Sequence, residues 1–532
     1  MKKLTNLLIL SALFLLVPLL TNAQIATEVS VGNGGDYATL SALAADIDLL
    51  GLGDNTTVNI ISDVFEETPV VINQWTESGL GGYYLTIQPS GGSWTISGAF
   101  SGNAVIKLNG ADRVIIDGEM NEGERNLTIS NTATTGTTAA IWLSSLGTTA
   151  GCENVTIRNT NIFGSNATSD VTTTIGISVG GTSLSTTGTG ADNDNLLIEN
   201  NLVQRAYYGI SVNGLSTGLN NNLQILNNEI GSELSTDYVW YKGIYMTYAD
   251  APIIAHNYIH DLRLTTGTNV TGIDIGTTCA NALIDANRIH GIAQASTGGW
   301  GAYGININTA TGNDNITISN NVITDLTTMN YSATSTTYNP FGIRITGGTN
   351  IKIWHNSVNL YGVQPAVGSA GTLSAALLVT STAVTGLDIR SNAFSNSLEG
   401  LAGSVSYAVC ILGSNASFVN INYNDYYAGG TYGVLGHIGT SYAIANNKFT
   451  LPDWQLGTGF DGNSIFDNPT FTDNADLFPL FGSPLILAGE YIPQVPTDFL
   501  GETRISPPTI GAYEYAITGD MAYSSSTVSH PT

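Results

Sequence analysis

Residues 314–326 read DNITISNNVITDL, and close variants of that phrase recur: NDNLLIENNLV from Asn193, NNLQILNNEI from Asn221 and NIKIWHNSVNL from Asn350. Aligned segments begin at Asn154, Asn195, Asn222, Ala251, Asn281, Asn315, Asn350, Gly386 and Phe418. Most place apolar side chains two positions apart, as Val155 and Ile157 or Ile316 and Ile318 do. That is the period of a strand with one buried face. Six places beyond each start stand Thr160, Asn201, Asn228, Asn257, Asn287, Asn321, Asn356, Asn392 and Asn424. Successive asparagines of this series lie 27 to 36 residues apart. A period of that length, without the 3.6-residue apolar spacing of helices, means a solenoid built of strands.

A second signature falls between these segments: IGISV from Ile175, YGISV from Tyr208, KGIYM from Lys242, TGIDI from Thr271, YGINI from Tyr303 and FGIRI from Phe341. Together the two phrases resemble the repeats of secreted bacterial right-handed parallel β-helix proteins of the pectate-lyase-like type. The resemblance implies an all-β fold, a right-handed parallel β-helix solenoid in which equivalent residues stack about 4.8 Å apart. Asparagines stacked at a turn between two sheets then satisfy backbone groups that a buried bend would orphan. They read as architecture rather than as a site.

An open coil exposes strand edges and bare core, so both ends need covers. Leu40, Leu43, Ala44 and Ile47 fall on one face of a short helix suited to plug the front. After Leu435 the repeat fades. The phrases DWQ, NSIFDNPTF, FGSPLILAG, TDFLGETR and IGAYEY then resemble, in order, the terminal region of many secreted bacterial β-helix proteins. Leu487 departs from that pattern, where Asp or Asn often precedes Ala-Gly. The chain therefore divides into a signal peptide (1–23), the solenoid with its N-terminal cap (24–448), a C-terminal capping segment (449–515), and a linker or the start of a further module (516–532).

Lys2 and Lys3, an apolar run from Leu7 to Leu20, and small residues before Gln24 carry the signal-peptide expectation. That run is shorter than a spanning helix needs, so the expected localisation is secreted, extracellular or at a bacterial cell surface, with no membrane insertion after cleavage. A net charge of −26 opposes nucleic acid as a partner. It also makes a polyanionic glycan awkward unless basic groups cluster or a cation intervenes. Cys152, Cys279 and Cys410 are too few for a disulfide framework and are expected to be unbridged.

Enzymes on the resembled scaffold usually act on acidic polysaccharides. A lyase needs a base and a group that neutralises a uronate, while a glycosidase needs a carboxylate pair. No signature of either stands out, so catalysis stays an open question. Alternation turns Lys352 and Trp354 outward on one coil and Asp388 and Arg390 outward on the next, with Arg344 across a short turn. A tryptophan among scarce cations suits sugar stacking, and these five residues form the expected substrate-binding patch. The alternative is that Arg390 stacks on Trp354 while Lys352 pairs with Asp388 as ordinary surface contacts. The outward column Ser178, Ser211, Tyr245, Asp274, Asn306 and Arg344 reads as an exposed mixed surface. His260 and His290 are expected to stack beside Asp261, as a turn ladder more readily than a metal pair. No cofactor is expected, although the acidic loops 117–125 and 191–195 could take calcium. The expected function is a non-catalytic glycan-binding or structural, adhesive module with an extracellular polysaccharide as partner. The alternative is a polysaccharide lyase or glycoside hydrolase.

Overall fold

The computed structural model describes residues 24–165, 173–310, 312, 314–329, 332–365 and 370–515. The leader assigned to 1–23 and the module assigned to 516–532 lie outside the described residues. Strands from Glu28 to Lys448 stack into a parallel β-solenoid of about 12 turns. They form three long sheets of 13, 13 and 12 strands. The first sheet holds the opening phrase (Leu197–Glu199, Thr317–Ser319, Lys352–Trp354). The second holds the residues just after the stacked asparagine (Leu202–Gln204, Val322–Thr324), which is a strand in its own right. The third holds the GI phrase (Val270–Ile275, Pro340–Gly347). The three sheets also extend forward of Asn154, into coils whose turns carry no paired asparagines.

The asparagine series forms one continuous ladder. In each rung the amide nitrogen of the side chain and the backbone N–H both donate to the next coil's Oδ1. Asn287 donates in this way to Asn321 at 2.9 and 3.0 Å, and Asn321 to Asn356 at 2.9 and 3.0 Å. The same amide reaches back to a core isoleucine carbonyl of the preceding coil, as Asn321 does to Ile284 at 2.9 Å. The ladder begins at Thr160, whose backbone and hydroxyl both donate to Asn201. It ends at Asn424, whose N–H donates to Ser464. Its members are buried.

The turn also explains why the asparagines come in pairs. The residue before each rung is left-handed: Asn200 (φ 49°), Asn227 (55°) and Asn320 (55°), with His256, His355 and Ser391 in other coils. So is the residue that opens each phrase, such as Asn195 (54°) and Asn315 (51°). Asparagine tolerates this region better than most side chains. The recurring glycine of the GI phrase has a different cause. A Cβ at Gly243 would lie 2.7 Å from the Gly272 carbonyl and 2.7 Å from an Ile259 methyl, so nothing larger fits against the next coil.

The front is closed by helix α1 (Leu40–Leu50), which buries Leu40, Leu43, Ala44 and Ile47. Buried Glu66 accepts from its first N–H, that of Leu40, at 2.7 Å. The back is closed by helix α2 (Leu451–Thr458). Its Trp454 is fully buried against Tyr426 and donates to Asp461 at 2.6 Å. Residues 461–465 then pair along the edge of the last coil, where the Ile465 N–H donates to the Asn424 carbonyl and the Tyr426 N–H to the Ile465 carbonyl, and the residues beyond leave that end. They run back along the outside of the solenoid as a strap over the ladder turn of the later coils. Asn359 donates to the Asn474 carbonyl, Glu490 N–H to Ser391, Ala512 N–H to Ser357, and Arg504 to Asn320 at 2.7 Å. Cys152, Cys279 and Cys410 are buried and unbridged, and burial pushes the Cys152 and Cys279 thiols up to about 12.

Asn321→Leu takes their partner from the N–H and side-chain amide of Asn287 and from the carbonyls of Ile284 and Ser319, and should cost about 1–3 kcal/mol. Chemical denaturation compared with the parent protein checks this.

Candidate functional site

The outer surface of the ladder turn has two fates along the solenoid. Two columns of side chains flank it. In the first sheet the register runs Asp117, Arg158, Glu199, Leu226, Ala255, Asp285, Ser319, Trp354, Arg390. In the second it runs Glu229, Tyr258, Arg288, Val322, Ser357, Ala393. Over the later coils the strap covers both columns. Trp354 packs with Ile492 and Val495, Val322 with Leu477 and Ala512, and Ala393 with Leu485 and Ile510. Over the earlier coils the strap does not reach them, and among the described residues only the loop 117–125 lies alongside. There the surface is an open groove of about 560 Å³.

This overturns the exposed tryptophan patch. Trp354 does point away from the solenoid core, yet it is 4% exposed because the strap lies on it. Arg390 sits 5.3 Å over its ring and is taken up by Asp388 at 2.7 Å and Glu490 at 3.3 Å. Lys352 bonds to Asn315 rather than to Asp388. Arg344 belongs to the third sheet, where it donates to Asn306 and the Thr336 carbonyl and stacks on Tyr303. The outward column of that sheet is not an exposed surface either: Ser178, Ser211, Asp274 and Asn306 are buried. Asp274 pairs with Lys242 at 2.5 Å, and the ammonium lies 4.0 Å from the Tyr245 ring.

The groove is built from residues the repeat alone does not single out. Its floor is the left-handed residues Asn159, Asn200, Asn227 and His256. One wall is the acidic loop 117–125, which folds along the turn rather than away from it. Arg125 at the end of that loop donates to the Asn200 carbonyl (2.8 Å) and side chain (3.0 Å) and pairs with Glu229 at 3.2 Å. Two Arg158 nitrogens lie 2.8 Å from one Asp117 oxygen. Glu199 is half-buried next to Arg158 in the column, and half-buried Tyr258 lines the far end. Arg158 and Glu199 stand in the same column as Trp354, so following that column coil by coil would have reached them. The loop carries no such signal.

Beyond Tyr258 the rings of His260 and His290 stack one coil apart, 5.7 Å between centroids and 19° between planes. With Asp261 they bring three ligand atoms within 4.8 Å of one another. Nearly parallel rings on adjacent rungs do not aim their in-plane lone pairs at one point, and the donors are engaged locally. His260 Nδ1 lies 2.8 Å from Asp261, and His290 Nε2 lies 2.7 Å from the Tyr258 hydroxyl. The carboxylates of the two acidic loops likewise hold protein donors: Glu119 accepts from Gly123 N–H, Asp192 from Thr149 N–H and Asp194 from Asn221 N–H. His260 Nε2 is 3.7 Å from Glu229, beyond a hydrogen bond, so that pair acts through charge. The imidazole and Arg125 hold the Glu229 carboxyl below its usual range. Burial works against the His260 imidazolium, but Asp261 and Glu229 outweigh it and raise its pKa. His355, buried beneath the strap and near Arg504, is shifted the opposite way.

Fold and groove together define a parallel β-solenoid with a polar lateral groove, filled in its later part by its own C-terminal strap. Among solved structures the chain is similar to the Dettilon tailspike protein (14% identity, TM-score 0.40, covering 82% of this chain and 66% of that one). It is also similar to pectate lyase Pel9A (11%, 0.38, 93% and 98%) and to XylC, solved in complex with xylose (11%, 0.36, 88% and 67%). No protein-family model and no curated protein matches it. No helix among the described residues is long and apolar enough to cross a membrane.

Two outcomes follow. Trp354→Ala should destabilise the fold by about 3–5 kcal/mol, the cost of emptying a buried aromatic site, measured by denaturant unfolding. The raised His260 pKa contributes stability that is present below about 6.5 and lost as pH rises through its folded value. His355 contributes in the opposite sense, with loss as pH falls. The melting temperature of His260→Asn, compared with the parent across this range, should therefore show a deficit at low pH that closes as pH rises.

Proposed function

We propose that the protein is an extracellular polysaccharide-binding solenoid and that a glycan strand lies in the open groove beside the ladder turn. The carrying observation is the change in the two flanking columns where the strap begins. Beneath the strap they offer Trp354, Val322 and Ala393 beside Ser357 and Arg390, a largely apolar bed that a peptide covers with Ile492, Leu477 and Leu485 and holds through Ala512 and Glu490. In the open part the same columns offer Arg158, Glu199, Glu229 and Tyr258. The later coils thus hold an extended chain along this surface, and the earlier coils present planar hydrogen-bonding groups and an aromatic ring in its place. That set suits sugar hydroxyls better than apolar peptide side chains.

Binding without bond cleavage fits the charges. A lyase needs a cation free to neutralise a uronate, whereas Arg158 and Arg125 are engaged by Asp117 and Glu229. A glycosidase needs a carboxyl held protonated, whereas Glu229 is shifted toward the ionised form.

Calorimetry against a panel of soluble oligosaccharides should find a ligand, and Tyr258→Ala should weaken it by about tenfold in protein that circular dichroism shows still folded. Unchanged affinity in a folded Tyr258→Ala protein, or release of reducing or unsaturated ends from the bound sugar, would sink this reading.

A further inference from the structure

Among the described residues, two carboxylates lining the groove have no cation within ion-pair distance: Glu119, which accepts from the Gly123 N–H at 2.8 Å and the Asn159 amide at 3.3 Å, and Glu199. Asp117 is held by Arg158, and Glu229 by Arg125 and His260. Glu199 stands one coil from Arg158 in the same column, yet that guanidinium is turned to Asp117. Its contact is the Asn227 amide at 3.4 Å, and among the described residues no cation lies within ion-pair distance of it. The side chain is half-buried on the groove wall, so its charge is screened less than that of a fully exposed carboxylate. The whole chain adds to the same sign, at −26. A uronate entering here would meet an unpaired carboxylate and two guanidinium groups already committed. An ammonium would meet the complement.

Resting on the reading of the groove as a glycan site, we infer that its ligand carries free amino groups, an unacetylated amino-sugar polymer whose ammonium pairs with Glu199. Arg158 and Arg125 then act as positioning residues: they hold Asp117 and Glu229, Glu119 is taken up by the Gly123 N–H and the Asn159 amide, and Glu199 keeps only its long contact to Asn227. The Asn159, Asn200 and Asn227 amides and the Tyr258 ring serve hydroxyls and the sugar face.

The test compares oligomers of one length in three chemistries: glucosamine, N-acetylglucosamine and galacturonate. The glucosamine oligomer should bind about tenfold tighter than its acetylated counterpart, the worth of one charge-assisted contact, and that advantage should shrink as salt is raised. Glu199→Gln should erase the difference while the melting temperature stays near the parent's. Glu199→Lys should move the preference to galacturonate. Equal binding of the amine and acetamide forms, tighter binding of galacturonate by the parent, or a preference that survives Glu199→Gln overturns this inference and leaves the glycan groove standing. Binding of none of the three overturns this inference, and if no sugar of the wider panel binds either, the groove reading falls with it.

Discussion

One hydrogen-bond pattern sets the geometry on which everything else rests. At each turn between the first and second sheets from Asn201 to Asn392, an asparagine amide reaches back to a carbonyl of the coil before and forward to the side chain of the coil after. The backbone N–H of the same residue shares that forward acceptor. A buried bend would otherwise leave those groups orphaned, at a cost that a strand of three residues cannot offset. With the turn fixed, the strands on either side are held in register. Isoleucines stack on isoleucines, and each outward column becomes a straight row along the axis. The groove and the strap's bed are two stretches of the same pair of rows.

What the sequence discloses follows from this. The ladder, the strand period and the glycine phrase repeat once per coil, so they stand out against any background. The buried face of helix α1 is equally plain, because its apolar spacing is local. The phrase after each ladder asparagine is harder to separate. A three-residue strand such as Leu202–Gln204 is too short to show a period of its own, and it merges with the strand before it. The early coils are harder still, for their turns are built without paired asparagines.

The candidate site shows the limit of alternation as evidence. Alternation assigns Trp354 to the outer face of the solenoid, and that is its face. It says nothing of what lies on that face. The strap that buries Trp354 comes from residues more than a hundred positions further along, aperiodic and held by scattered contacts such as Arg504 to Asn320. Arg158 and Glu199 escape notice for the converse reason: each is an ordinary charged residue until the loop 117–125 closes beside it and Arg125 crosses to the Asn200 turn.

The strap also decides how the molecule would respond to pulling. A stack of coils held by a file of parallel bonds is weak against being unwound from one end, because the rungs would break singly. Here tension on the C-terminal end does not arrive at the last coil. It passes first to the Arg504 clamp on Asn320 and to the Ser357 and Ser391 tethers, all well inside the stack. Those contacts lie across the coils rather than at their free edge, so several are loaded in shear together before any coil can peel. A tether attached at that end would find a fibre whose weakest terminus is bypassed.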